Sequence, residues 1–241
     1  MSMHTTSSAP TVGTKISAMD LIVRLILFVL LLSLPFLAAG TLAWPQGLLY
    51  LGLTVLLTGG GRILMARKYP DLVQERMRAA NMPDSKKWDR PLSAIIGLRG
   101  TFVVWSVAGL DVRFGWPPSI PIGWQILGVI VLVLGTLFGT WAMLENRFFS
   151  AVVRIQTDRG HTVVTTGPYR FIRHPGYAAG VGGYLALPLM LNSLWAYIPA
   201  LLSIVLIIVR THLEDRTLQA ELPGYREYTR QTRYRLLPRV W

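Results

Sequence analysis

The eleven residues from Gly167 to Tyr177 read Gly-Pro-Tyr-Arg-Phe-Ile-Arg-His-Pro-Gly-Tyr, and an apolar run begins directly after them. Cationic and aromatic groups crowded where a chain enters a membrane are costly unless they bind something. The stretch therefore marks a site for chemistry rather than a bare scaffold. Two more polar clusters stand at the ends of apolar runs: Asn146-Arg147-Phe148-Phe149-Ser150, and Arg210-Thr211-His212-Leu213-Glu214-Asp215. Arg210 and Glu214 are spaced i, i+4 and share one face of a helix. Arginine and charged histidine hold carboxylates, and aromatic faces hold cations. Tyr225, Tyr228 and Tyr234 follow in the tail.

The elements that must position these groups are membrane helices. Of the 241 residues, 52% are hydrophobic and only 15% charged, against about 25% charged in a typical soluble domain. Mean hydropathy is +0.43. Apolar runs near the length of a bilayer crossing recur along the chain. The pattern predicts an all-α, polytopic integral membrane bundle of about six segments. Four are long: Leu21 to Leu42 with a kink at Pro35, Gly47 to Met65, Pro91 to Leu110, and Ile122 to Leu144. Two are shorter, Tyr177–Leu191 and Leu194–Val209, and form a C-terminal helical hairpin split by Asn192-Ser193. The polar tail from Thr211 is expected to begin as a continuation of the last helix. Residues 66–90 and 145–176 read as polar loops. Residues 1–19 read as a flexible tail and 20–241 as one membrane domain, with the chemistry-bearing half at about 140–241.

Charge sets the orientation. The chain has 24 Lys+Arg against 12 Asp+Glu, a formal net charge of +12. The cations sit in the loops after the second and fourth spans and in the C-terminal tail, while the opposite side offers Arg113. Basic loops remain in the cytoplasm, so both termini and the three polar clusters are expected there, in a bacterial inner membrane. This distribution fits a membrane protein and argues against nucleic acid as a partner. Trp44, Trp116, Trp124 and Trp195 fall near span ends, where interfacial tryptophans sit. The chain has no cysteine, which excludes thiolate nucleophiles, disulfides and Cys-ligated metal. No metal site is expected.

Taken in order, Gly-Pro-Tyr-Arg-x-x-Arg-His-Pro-x-Tyr, an apolar hairpin, Arg-x-x-x-Glu-Asp-x-x-Leu and an aromatic-basic tail resemble the isoprenylcysteine carboxyl methyltransferase family. That family is itself similar to membrane phospholipid N-methyltransferases. The resemblance covers roughly residues 140–241; Glu75-Arg76-Met77 and Lys87-Trp88-Asp89-Arg90 resemble bacterial members more loosely. It implies S-adenosyl-L-methionine as cofactor, with Tyr169, Arg173, His174, Pro175 and Tyr177 lining its site. It also implies that Glu214 contacts the cofactor from the last helix and that Arg210 orients a lipophilic small-molecule, prenyl or lipid acceptor, Arg210 and Glu214 forming the catalytic pair. The physical demands agree. The cofactor is a zwitterion with a sulfonium, wanting Arg or His for its carboxylate and an acidic neighbour for its cationic groups. Methyl transfer is an in-line displacement, so the protein mainly positions two reactants. Two positions depart from the family pattern. Asp215 stands where the family has a second Glu. Leu222-Pro223-Gly224 replaces the usual Phe-Gly, which shifts the tail register and weakens a role for Tyr225 or Tyr228.

Other readings compete. A phospholipid N-methyltransferase would need a base for its amine, which Glu214 or Asp215 supplies. A dinucleotide-dependent membrane reductase of the sterol type shares the look of the C-terminal half. A transporter is disfavoured because the polar residues gather at one face rather than at mid-membrane. His161 and His212 read as solvated or locally bonded, Phe148 and Phe149 as packing groups, and Gly176 as a close-packing position. Arg210 with Glu214 also reads as a plain helix-surface pair. Arg99, inside the third span, either snorkels or finds a partner in the bundle.

Overall fold

Apolar helices with polar interruptions give the expected architecture in the computed structural model, which describes residues 18–78, 82 and 84–241. The tail expected over 1–19 therefore falls, up to residue 17, outside the described residues. Among the described residues the secondary structure is helical with no strand. The helices are α1 Ala18–Ala39, α2 Pro45–Lys68, α3 Pro70–Arg78, α4 Asp89–Phe114, α5 Ile122–Glu145, α6 Pro175–Met190, α7 Tyr197–Glu221 and α8 Tyr225–Gln231. Four of them, α2, α4, α5 and α7, are long and apolar enough to cross a membrane. The chain divides into two units between Ser33 and Leu34, and all three polar clusters belong to the second, Leu34–Trp241.

The helices present apolar side chains outward, as lipid requires. Along α5, Ile122, Ile126, Ile130, Leu134, Leu137 and Trp141 form an exposed stripe at helical spacing. The opposite face of α5 lies against α6 through small residues. A Cβ on Gly128 would stand 2.7 Å from the Met190 nitrogen and 2.8 Å from the Ala186 carbonyl, and one on Gly139 would stand 3.0 Å from the Ala179 Cβ. Such close backbone approach is how membrane helices associate without a hydrophobic drive between them. Gly109 serves the same purpose where α4 meets the last turn of α1: a Cβ there would stand 2.3 Å from the Pro35 carbonyl.

Two departures from the expected elements shape the site. Residues 66–90 are not all loop: Pro70–Arg78 is a helix, opened by a proline at its first position and by Asp71 in its first turn. Helix α4 is not straight. Gly97 leaves the helical region (ψ −123°) inside a π-type stretch, Ile95–Arg99. The freed carbonyl of Ile96 accepts a hydrogen bond from the Tyr184 hydroxyl at 2.6 Å, which satisfies a backbone group that lipid cannot. Arg99 lies at the end of that stretch with an exposed side chain. The C-terminal hairpin is asymmetric. Helix α6 has 16 residues, whereas α7 has 25 and carries the helix beyond the apolar stretch into the polar cluster.

Candidate active site

The three polar clusters converge on one cavity of about 370 Å³, a size typical of small-ligand sites. Tyr169, Arg173, His174, Pro175, Tyr177, Arg210 and Glu214 all lie on its wall. Asn146, Phe148 and Phe149 join them from the end of α5. The motif gains its shape from a short 3-10 turn, Gly167–Arg170, and from His174, whose carbonyl accepts from the amides of Tyr177 and Ala178 at the start of α6. Pro175 opens that helix, where its missing N–H is harmless.

Not every wall residue is available to a ligand. Asp215 is fully buried and gathers donors from four parts of the chain. Arg173 donates to it from Nε and Nη2 at 2.8 and 3.0 Å, Arg235 from Nε at 2.9 Å, Gln219 from Nε2 at 2.8 Å and the Tyr225 hydroxyl at 3.2 Å. His174 Nε2 lies 3.2 Å from the same carboxylate. Arg173 also donates from Nη1 to the carbonyls of Thr232 and Arg233 at 2.9 and 2.7 Å. Its fork is thus committed within the protein. Arg173 ties the motif to α7 and to the C-terminal tail, and it fixes the wall rather than offering a free charge.

Arg210 and Glu214 do not pair with each other. Arg210 donates to Asp89 from Nε at 2.6 Å and from Nη2 at 3.2 Å, and to the Ala151 carbonyl at 3.0 Å. Its guanidinium carbon stands 5.3 Å from the centre of the Tyr177 ring. Glu214 accepts a hydrogen bond from the Tyr177 hydroxyl and has no cation within 4.0 Å among the described residues. The reading of these two as a plain surface pair is thereby set aside: each faces the cavity with its own partner.

The remaining wall is the segment 146–164 and the tail. Asn146 donates to the Tyr169 hydroxyl at 3.2 Å, and Val153 donates its amide to Asp89 at 2.7 Å. Arg154 is nearly buried and holds Glu75 through two bonds of 2.8 and 2.9 Å, Asp84 at 2.7 Å and Asp158 at 2.9 Å. The hydrogen bond to Glu75, above all, raises the Arg154 pKa against the opposing effect of burial, so α3 stays fastened to the loop. His161 rests on Phe148 at 4.6 Å and its Nδ1 accepts from the Gln156 amide at 3.3 Å. Burial, then the charges of Arg154 and Arg159, pull its pKa down to about 4, which keeps the ring neutral. Burial likewise raises the pKa of Tyr169 and Tyr225, and pushes Tyr228 up to about 12. The three hydroxyls remain protonated donors at neutral pH.

Several residues at the site carry only a weak signal in the sequence. Pro223-Gly224 shifts the tail register and argues against Tyr225 and Tyr228. In the structure Gly224 takes φ +82° and starts α8, and both rings return to the cavity, Tyr228 donating to the Tyr169 carbonyl at 2.6 Å. Arg76 and His161 also line the cavity. Asp89 stands behind Arg210, fully buried. His212 is exposed, as expected.

The structure thus defines a helical membrane bundle with a polar pocket at its helix ends. Residues 124–222 match the family model described as phospholipid methyltransferase. The cobalt-zinc-cadmium resistance protein CzcN of Cupriavidus metallidurans is 33% identical over 109 residues, 44% of this chain and 45% of that protein. A probable protein-S-isoprenylcysteine O-methyltransferase of Oryza sativa is 34% identical over 53 residues, 22% of this chain and 28% of the rice protein. The similarity thus spans less than half the length of either relative. The C-terminal half of the chain is thus where its similarity to the phospholipid methyltransferase model lies.

Proposed function

We propose that this integral membrane protein moves a methyl group from S-adenosylmethionine to a lipophilic acceptor, with the site and both termini on the cytoplasmic side of a bacterial inner membrane. Residues 20–241 act as one membrane domain, and the half from about residue 140 holds the cofactor. The observation that carries the reading is Glu214: a carboxylate without a cation within 4.0 Å among the described residues, on the wall of the cavity that the motif Gly167 to Tyr177 also lines.

The residues present fit the cofactor. Glu214 supplies negative charge for its cationic centre, and Val163, Val164, Leu218 and Leu222 supply an apolar face for adenine. Tyr169, His174 and Tyr177 add polar groups, while Pro175 shapes the bend. When bound, the cofactor supplies an activated methyl carbon on a sulfonium. The chain's own contribution is positional. Asp215 orients His174 and fixes Arg173. Asp89 holds Arg210 as a fixed cation. The apolar surfaces of the helices keep the site beside lipid, so that an acceptor reaches it from the bilayer. A carboxylate acceptor is already ionised at neutral pH and needs no base; an amine must first lose a proton, for which Glu214 is a carboxylate base on the wall.

Calorimetry on the detergent-solubilised protein with S-adenosylhomocysteine and, separately, with NADPH tests the reading. Micromolar or tighter binding of S-adenosylhomocysteine is expected. Binding of NADPH alone replaces it with a reductase.

A further inference from the structure

Away from the cavity, a shallow groove of about 280 Å³ runs between the motif and the tail, bordered by Arg170, Phe171, Gln231, Arg233, Tyr234 and Pro238. Phe171 is 62% exposed, and beyond Pro238's neighbours Leu237 and Val240 are 54% and 76% exposed. Arg170, Arg233 and Arg239 are exposed around them, and none of the three has an ion-pair partner among the described residues. The tail is folded to present this surface. The carbonyls of Tyr234 and Arg235 accept from the amides of Arg173 and His174, both at 2.9 Å. The amides of Arg235 and Leu236 donate to the Trp241 oxygen at 2.8 and 3.0 Å, and the Arg235 guanidinium carbon stands 4.9 Å from the centre of the Trp241 ring. The segment thus curls back on itself, with Leu236 buried and Leu237, Arg239 and Val240 outward.

Its position in the chain ties the surface to the bilayer. Phe171 stands four residues before Pro175, where the apolar helix α6 begins, and four residues reach at most about 14 Å. Single exposed apolar side chains are ordinary on a protein surface. Three of them ringed by unpaired arginines, beside a helix that enters the membrane, have the composition of a surface that lies in the interface. The cytoplasmic leaflet carries a negative surface potential that draws such cations in. A second copy of the chain is a poorer occupant, because a two-fold contact through this patch sets the same surface against itself and so arginine against arginine.

We propose that this surface docks onto anionic membrane lipid: Phe171, Leu237 and Val240 enter the headgroup layer, and Arg170, Arg233 and Arg239 meet lipid phosphates. The docking holds the tail in place. The carbonyls of Thr232 and Arg233 in that tail accept from Arg173 at 2.9 and 2.7 Å, so the docked segment is also the one that fixes a wall residue of the cavity. The proposal needs neither the cofactor nor the acceptor and stands or falls apart from the methyltransferase reading.

The test exploits the absence of cysteine from the chain: Val240→Cys takes a single environment-sensitive fluorophore, and Pro223→Cys, exposed just beyond α7, takes the same label as a reference. The full-length protein is reconstituted into vesicles of phosphatidylcholine with or without phosphatidylglycerol, and lipids with brominated acyl chains serve as quenchers. The Val240 label should be quenched more than the reference, and phosphatidylglycerol should increase that quenching. Raising salt from about 0.1 M to 1 M shortens the screening length from about 10 Å to about 3 Å and should remove the increase. Replacing Arg170, Arg233 and Arg239 by Gln should remove it as well, at about fivefold in the docked-to-free ratio for each arginine lost. The proposal is overturned if the Val240 label is quenched no more than the reference, if phosphatidylglycerol makes no difference, or if the increase survives in the triple variant. A label shielded from water yet untouched by brominated lipid means a protein on this surface and overturns it too. Should the triple variant not fold, the salt titration of the Val240-labelled protein with its three arginines intact decides: an increase that persists at 1 M salt overturns the role of the arginines.

Discussion

Adjacent carboxylates on α7 face different environments, and exchanging each for its amide should separate structure from function. Asp215 is fully buried, with Arg173, Arg235, Gln219 and Tyr225 donating to it and His174 beside it. The Arg173 side chain is 6% exposed and that of Arg235 is 23% exposed. In Asp215→Asn the amide oxygen still accepts, but two guanidinium groups lose their counter-charge, and the amide N–H₂ faces donors. Removing one partner of a buried ion pair costs about 3–5 kcal/mol. At roughly 2–4 °C per kcal/mol for a chain of this size, the unfolding midpoint should fall by about 6–20 °C. Glu214→Gln touches a single hydrogen bond to Tyr177 and should leave the midpoint within about 2 °C.

Ligand separates the two variants in the opposite direction. A saturating ligand at about a hundred times its Kd stabilises by about 2.7 kcal/mol. S-adenosylhomocysteine should therefore raise the midpoint of wild type and of Asp215→Asn, and should do little for Glu214→Gln. Because the chain has no cysteine and 8 tryptophans, intrinsic fluorescence in detergent is the suitable probe, and thiol-reactive dyes are not. The reasoning fails if Asp215→Asn is as stable as wild type, or if Glu214→Gln retains the full ligand-induced shift.

Two further outcomes are expected from the same geometry. Asp89→Asn should lower turnover in step with Arg210→Lys while sparing S-adenosylhomocysteine binding, because both break the two-point Arg210–Asp89 contact; turnover and calorimetric titration of the two variants side by side check it. His161, held down to about 4 from an ordinary 6.5, binds fewer protons folded than unfolded between those values, so its contribution to stability is complete above pH 6.5 and is lost as pH falls towards 4. His161→Gln should flatten that part of the midpoint-against-pH curve, as measured from pH 4 to 7.5.

The helices are legible in the sequence because each bilayer crossing writes a long apolar run, and the motif is legible because eleven neighbouring residues carry its cations and aromatics. The partners are not. Arg173 reads as a carboxylate binder from its chemistry, but that chemistry is the same whether the carboxylate is a ligand's or belongs to Asp215, 42 residues further on. Arg210 finds its counter-charge 121 residues earlier, in Asp89, and Arg154 finds Glu75 at a separation of 79. A linear pattern holds no trace of such pairings. The polar stretch 66–90 accordingly reads as loop, although Pro70 and Asp71 carry the marks of a helix start. What that stretch contributes is visible only once charges are cancelled pair by pair in space. Arg173, prominent in the motif, is then seen to be tied to Asp215 inside the protein, whereas Arg76, one of the cations of stretch 66–90, lines the cavity with no carboxylate within 4.0 Å among the described residues. The number of cations in a sequence says how a membrane protein sits. Which of them are spent on internal partners is written only in the fold.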